Sequence, residues 1–185
     1  MTQQVDTLYG SVDARILEIA KNIKLLICDV DGVFSDGLVY MGNNGEELKT
    51  FHTRDGYGVK SLMNAGIEIA IITGRQSQIV TNRMNALGIK LVYQGQDDKV
   101  KAYQDICQKL AINPEHTGYI GDDLIDWPVM EKVGLQVCVA DGHPLLARRA
   151  NYVTQTKGGH GAVREVCDLI LQARDELDVH KGLSI

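Results

Sequence analysis

The chain is 185 residues long and carries 24 acidic against 19 basic side chains, a net charge of −5. That length suits a single domain, 1–185, with a substantial core, and the acidic balance offers nothing for non-specific binding to nucleic acid or to an anionic membrane. No run approaches the roughly 20 apolar residues of a membrane span, and the first ten residues lack a basic stretch followed by an apolar one, so the expected location is the cytoplasm.

Residues 24–30, KLLICDV, read as the first strand, an apolar run of the kind a sheet covered on both faces requires. It delivers Asp29 and Asp31 into a turn at Gly32. Two carboxylates at the mouth of an apolar strand repel each other and lose hydration, so a bound cation or a reaction justifies them; an ordinary strand end and turn is the other reading. Extended runs at 37–41 and 46–51 then flank Gly42-Asn43-Asn44-Gly45, a hairpin signal that predicts a flap at about 36–51. A two-stranded ribbon is marginal alone, and one bearing Leu38, Val39, Tyr40 and Met41 is expected to pack on another subunit.

From there helical and strand patterns alternate. Helices are predicted at 56–66, 77–88, 97–111 and 123–134, and strands at 67–73, 89–94, 116–121, 134–140 and 151–154. A closing helix at 161–178 and a polar tail at 179–185 follow. The expectation is an α/β protein with a Rossmann-like, doubly wound, mainly parallel sheet and a β-hairpin flap. Only 42 positions separate Asp31 from Thr73 and 26 separate Thr73 from Lys99, which leaves no room for a cap domain. Ligands of such sheets bind beyond the carboxyl ends of the strands, where Asp31, Thr73 and Asp122 all fall.

Taken singly, several of these residues have ordinary explanations. Thr73 before a helical pattern suits an N-cap, Lys99 suits a solvated helix face, and Asp122 and Asp123 suit a cap near Leu124. Arg54, Arg75 and Arg83 carry the charge to read a substrate carboxylate, or to serve as surface ion-pair partners; His52 and His160 are weaker candidates. Trp127 reads as core or subunit interface. Cys28, Cys107, Cys138 and Cys167 are scattered singly and read as free thiols.

In order along the chain, Asp-x-Asp at 29–31, Thr73, Lys99 and the acidic set Asp122, Asp123 and Asp126 resemble the haloacid dehalogenase (HAD) superfamily of phosphotransferases. The segments DVDGVFSDG, YMGNNGEE, TRDGYG, ITGRQS, GDDLIDWPVM and GGHGAVREV resemble, more narrowly, the 3-deoxy-D-manno-octulosonate 8-phosphate (Kdo 8-phosphate) phosphatases. The resemblance implies that Asp29 is a nucleophile forming an aspartyl-phosphate and that Asp31 is the general acid and base. It implies Mg2+ held by Asp29, the Asp31 backbone carbonyl and Asp122, with Asp123 and Asp126 behind them orienting the lysine. Thr73, Lys99 and backbone amides near Gly32 and Gly74 would meet the phosphoryl group. The implied substrate is a small sugar-acid phosphate, Kdo 8-phosphate, hydrolysed to Kdo and inorganic phosphate in lipopolysaccharide precursor synthesis. A homotetramer and a tail reaching a neighbouring site are implied too. A sialic-acid-type 9-phosphate is the nearest alternative substrate, and a protein phosphatase is a more distant one. A receiver-type signalling domain uses similar residues but places its acidic pair first, whereas here the pair comes last.

Overall fold

The computed structural model describes residues 3–178; the tail at 179–185, for which the resemblance implies a reach into a neighbouring site, lies outside the described residues. An antiparallel hairpin of β1 (Gln4–Thr7) and β2 (Gly10–Asp13) and helix α1 (Ala14–Lys21) precede the first buried strand, β3 (Leu25–Cys28). The flap follows as β4 (Tyr40–Met41) and β5 (Glu47–Leu48), then α2 (Thr53–Asn64), β6 (Glu68–Ile72), α3 (Gln78–Leu87), β7 (Leu91–Tyr93), α4 (Lys99–Leu110) and β8 (Thr117–Gly121). A 3-10 turn (Leu124–Asp126) leads into α5 (Trp127–Met130), and β9 (Leu135–Cys138), α6 (Pro144–Arg149), β10 (Tyr152–Val153) and α7 (Ala162–Ala173) complete the described chain.

Six strands form one sheet in the order β10-β9-β8-β3-β6-β7, parallel throughout. Period-two alternation sorts their side chains into two cores. Leu26, Cys28, Ile69, Ile71, Ile120 and Val137 face α1, α2, α3 and α7, while Leu25, Ile27, Ala70, Ile72 and Tyr119 face α4, α5 and α6. Each fully buried Leu or Ile contributes roughly 1.5–3 kcal/mol, so the LLIC run is strongly driven to the sheet centre. The expected doubly wound architecture is therefore observed, and no cap domain interrupts the described residues. From β3 the chain winds outward through β6 and β7, then returns to β8 on the other side of β3. The direction of winding thus reverses between β3 and β8, and a crevice for a ligand opens at such a point.

Three local expectations need correction. The helix predicted at 123–134 is a 3-10 turn followed by the single helical turn of α5, because Asp126 turns its carboxylate back onto the amides of Asp122 and Asp123, and Pro128 follows. The closing helix stops at Ala173 rather than 178, with Asp175 in the left-handed region at φ +57°. Residues 4–21, given no element in the sequence reading, form the β1–β2 hairpin and α1, capped by Asp13, whose carboxylate accepts from the Arg15 amide at 2.9 Å. The hairpin is fastened to α7 by Tyr9, whose hydroxyl donates to Asp168 at 2.8 Å.

Candidate active site

The carboxyl end of β3 is shaped by backbone bonding before any side chain acts. The Asp29 amide donates to Ile120 O at 3.1 Å, carrying the β3–β8 pairing one residue further, and the amides of Val33, Phe34 and Ser35 all converge on Val30 O. This tight turn needs Gly32 at φ +84°. A β-carbon there would lie 2.1 Å from Asp122 Oδ2, so glycine is what allows the β3 turn and the loop after β8 to touch.

The buried charges converge on one ammonium. Lys99, at the first position of α4, donates to Asp29 Oδ2 at 2.7 Å and to Asp126 Oδ1 at 2.7 Å. Asp126 is wholly buried and fully engaged: Oδ1 also accepts from Tyr119 Oη at 2.8 Å, and Oδ2 from the Asp122 and Asp123 amides. Burial alone would lower the Lys99 ammonium, but Asp29 and Asp126 outweigh it and hold its pKa above the ordinary value. Burial, then repulsion from Asp126, raises Asp29 to about 6 despite Lys99. Burial, followed by repulsion from Asp126, Asp29 and Asp123, raises Asp122 to about 7.

One lysine does not balance three acids, and the donor set fits a hard divalent cation. Carboxylate oxygens of Asp29, Asp122 and Asp126 lie within 4.8 Å of one another, and Mg2+ favours such oxygens, typically using one or two protein carboxylates. Asp126 already accepts from four donors, which leaves Asp29 and Asp122 as the carboxylates with oxygen lone pairs to give. Asp123 caps the 3-10 turn through the Leu124 amide at 2.7 Å, and its exposed carboxylate stands outside the cluster. Its contribution to Asp126 is the backbone N–H.

The remaining sequence-predicted residues are placed as follows. Thr73 is buried at the end of β6, its amide donating to Tyr93 O and its carbonyl accepting from Gln96. Gly74 beside it is exposed, and a β-carbon there would meet only Gln96 O, at 3.9 Å, so the position has room for a ligand. Arg54 is exposed and donates through Nη2 to His160 O at 3.4 Å, with His52 Nε2 at 3.3 Å. Arg75 reaches the flap, donating to Glu47 Oε2 at 3.1 Å. Arg83 is half-buried and its charge acts on Asp55, but Arg83 Nε and Asp55 Oδ2 are both buried without a hydrogen-bond partner among the described residues. Arg54 and Arg83 both bear electrostatically on Asp55, while Arg75 is tied to the flap.

Residues that carry the site and were not singled out in the sequence form its back wall. Glu165 of α7 is wholly buried and accepts four hydrogen bonds, from Tyr152 Oη (2.7 Å), the Gln155 and Thr156 amides (2.8 and 2.9 Å) and Thr156 Oγ1 (2.6 Å). Asp141 accepts from the Gly158 amide at 2.9 Å, and Asp55 of α2 accepts from the Arg164 amide at 2.9 Å, capping α7. These three carboxylates hold 155–161 against the β3 turn: the Gly159 amide donates to Val33 O at 2.8 Å, and a β-carbon on Gly158 would lie 1.7 Å from Gly32 O. The glycines of GGHGAVREV thus serve a backbone-to-backbone approach behind the aspartates. The only legible signal was that motif itself.

Comparison with known proteins agrees with this geometry. Residues 91–166 match the model of the haloacid dehalogenase-like hydrolases. The chain is 62% identical over 179 residues to the 3-deoxy-D-manno-octulosonate 8-phosphate phosphatase KdsC of Escherichia coli K12, covering 97% of this chain and 95% of the relative. A crystal structure of the phosphatase of that name from Yersinia pestis is 59% identical and covers both chains completely, with a TM-score of 0.98. The Moraxella catarrhalis phosphatase, solved in complex with a magnesium ion, a phosphate ion and Kdo, is 44% identical with a TM-score of 0.87, over 89% of this chain and 94% of that one.

Proposed function

This chain belongs to the 3-deoxy-D-manno-octulosonate 8-phosphate phosphatases of the haloacid dehalogenase-like hydrolases, and from that membership we propose how it acts as a magnesium-dependent phosphoric monoester hydrolase on Kdo 8-phosphate. The observation that carries the mechanism is the Lys99 ammonium held 2.7 Å from both Asp29 and Asp126 at the point where the sheet reverses. Magnesium held by Asp29, the Asp31 backbone carbonyl and Asp122 supplies charge neutralisation and orientation for the phosphoryl oxygens.

Asp29 attacks phosphorus, and the bond to the sugar oxygen breaks as an aspartyl-phosphate forms. Asp31 gives a proton to the departing alkoxide, then recovers one from the water that displaces the phosphoryl group from Asp29. Lys99, the Thr73 hydroxyl and amides near Gly32 and Gly74 take up charge on the transferred group, whose reaction depends mainly on positioning and electrostatics. Asp126 keeps Lys99 aimed, and Asp123 supports Asp126 through its amide. The sugar-acid carboxylate is the partner assigned to Arg54, Arg75 and Arg83.

The flap leaves Leu38 (58%), Met41 (76%) and Leu48 (67%) exposed, a ribbon that a homotetramer would bury while covering the open mouth. No helix among the described residues is long and apolar enough to cross a membrane, and we assign the chain to the cytoplasm and to lipopolysaccharide precursor synthesis. Phosphate release from Kdo 8-phosphate, a sialic-acid-type 9-phosphate and a phosphopeptide under one magnesium concentration tests the substrate. Kdo 8-phosphate should give the highest kcat/KM, and preference for either competitor overturns the assignment.

A further inference from the structure

Lys49 enters the site from the flap, just past β5. Its side chain is 1% exposed although the hairpin around it is open to solvent. Its ammonium donates to Asp31 Oδ1 and lies 3.1 Å from Glu47 Oε1, while Glu47 Oε2 accepts from Arg75 Nη2 at 3.1 Å. The hairpin is thereby tied at two points, to the turn after β3 and to the loop after β6, across the mouth where the phosphoryl group is to sit. A buried ammonium is costly unless paired, and the residue it pairs with is the one assigned to proton transfer. Asp31 Oδ2 takes no hydrogen bond from the described residues.

We propose that Lys49 is a positioning residue for proton transfer: it holds Asp31 by Oδ1 and leaves Oδ2 as the oxygen that exchanges the proton. The inference rests on the acid and base role given to Asp31 above. In the first half-reaction Oδ2–H passes its proton to the ester oxygen as the phosphorus–oxygen bond breaks, and the resulting carboxylate is stabilised by Lys49. In the second, the water oxygen bonds to phosphorus, its proton goes to Oδ2, and the Asp29–phosphorus bond breaks. A group acting this way matters in proportion to the leaving group's need for a proton.

The test uses kcat/KM, which reports the steps up to leaving-group departure, for a series of substituted phenyl phosphates with the magnesium-loaded full chain. Lys49→Met should fall on the order of tenfold for the most basic leaving group and little for the most acidic, so that the rate depends more steeply on leaving-group pKa. Asp31→Asn should steepen it further. Lys49→Gln, which keeps an N–H donor without the charge, should lie between parent and Lys49→Met, and it carries the test if Lys49→Met does not assemble by light scattering. A uniform loss across the series, or a raised KM with unchanged kcat, overturns the inference and makes Lys49 a flap clip or a phosphate contact. If Asp31→Asn itself shows no steepening, the acid role of Asp31 fails and takes the inference with it, whereas steepening with Asp31→Asn alone refutes Lys49 only.

Discussion

Lys99 Nζ donates to Asp126 Oδ1 at 2.7 Å, and Asp126, wholly buried, also accepts from Tyr119 and two backbone amides. The pair is thus built into the turn after β8 and is not an adjustable surface contact. Asp126→Ala leaves a buried ammonium facing Asp29 alone and strands three donors, so urea unfolding should show a loss of about 3–5 kcal/mol. Tyr119→Phe removes one neutral donor and should cost about 1 kcal/mol. Equal effects of the two substitutions would contradict the central place given to Asp126.

Acidity should govern metal binding. Asp122 is raised to about 7 and Asp29 to about 6 from an ordinary 3.8, so in the metal-free protein the folded state holds protons that the unfolded chain releases. The stability conferred by those protons is fully present below 3.8 and is lost as pH rises through 6 and 7. The melting temperature of metal-free protein should therefore fall over that interval, and saturating Mg2+ should flatten the fall. Mg2+ binding at about pH 6.5 should release protons, seen by titration calorimetry in two buffers of different ionisation enthalpy. Binding with no proton release there would contradict the acid cluster as the metal site.

The wall behind the aspartates gives a separate expectation. Gly158→Ala places a β-carbon 1.7 Å from Gly32 O unless backbone moves, so kcat should fall sharply even where circular dichroism shows a folded chain. Glu165→Gln replaces an acceptor oxygen by an NH2 group within a four-donor shell, with an expected loss of about 1–3 kcal/mol in stability. Full activity of Gly158→Ala would show that the 155–161 segment does not position the β3 turn.

The exposed flap predicts assembly. Met41 is 76% exposed at the end of β4, and a charge there should be tolerated by the fold of one chain but not by a packed interface. Met41→Asp should shift light scattering from the proposed homotetramer to a smaller species, and an unchanged assembly would place the interface elsewhere.

Much of this was legible in the sequence because the strands are continuous apolar runs and the aspartates, Thr73 and Lys99 follow their ends in a recognisable order. The missed elements lack that signal. The arms of β1 and β2 are four residues each, too short for periodicity to declare itself, and α6 spans six. The apolar spacing of LIDWPVM predicts helix through 124–126, whereas the backbone obeys the Asp126 carboxylate. Lys49 reads as a surface lysine on an edge ribbon, and only the fold of the flap over β3 buries it. Glu165, in an amphipathic helix, gives no sign that four donors from another segment surround it.

The nucleophile itself is tested by magnesium-saturated phosphate release from Kdo 8-phosphate by Asp29→Asn, with fold and assembly matched to the parent chain. An amide at this position cannot attack phosphorus, and the expected loss is about 10³-fold or more in kcat. Near-normal turnover by Asp29→Asn would contradict the aspartyl-phosphate mechanism at its first step.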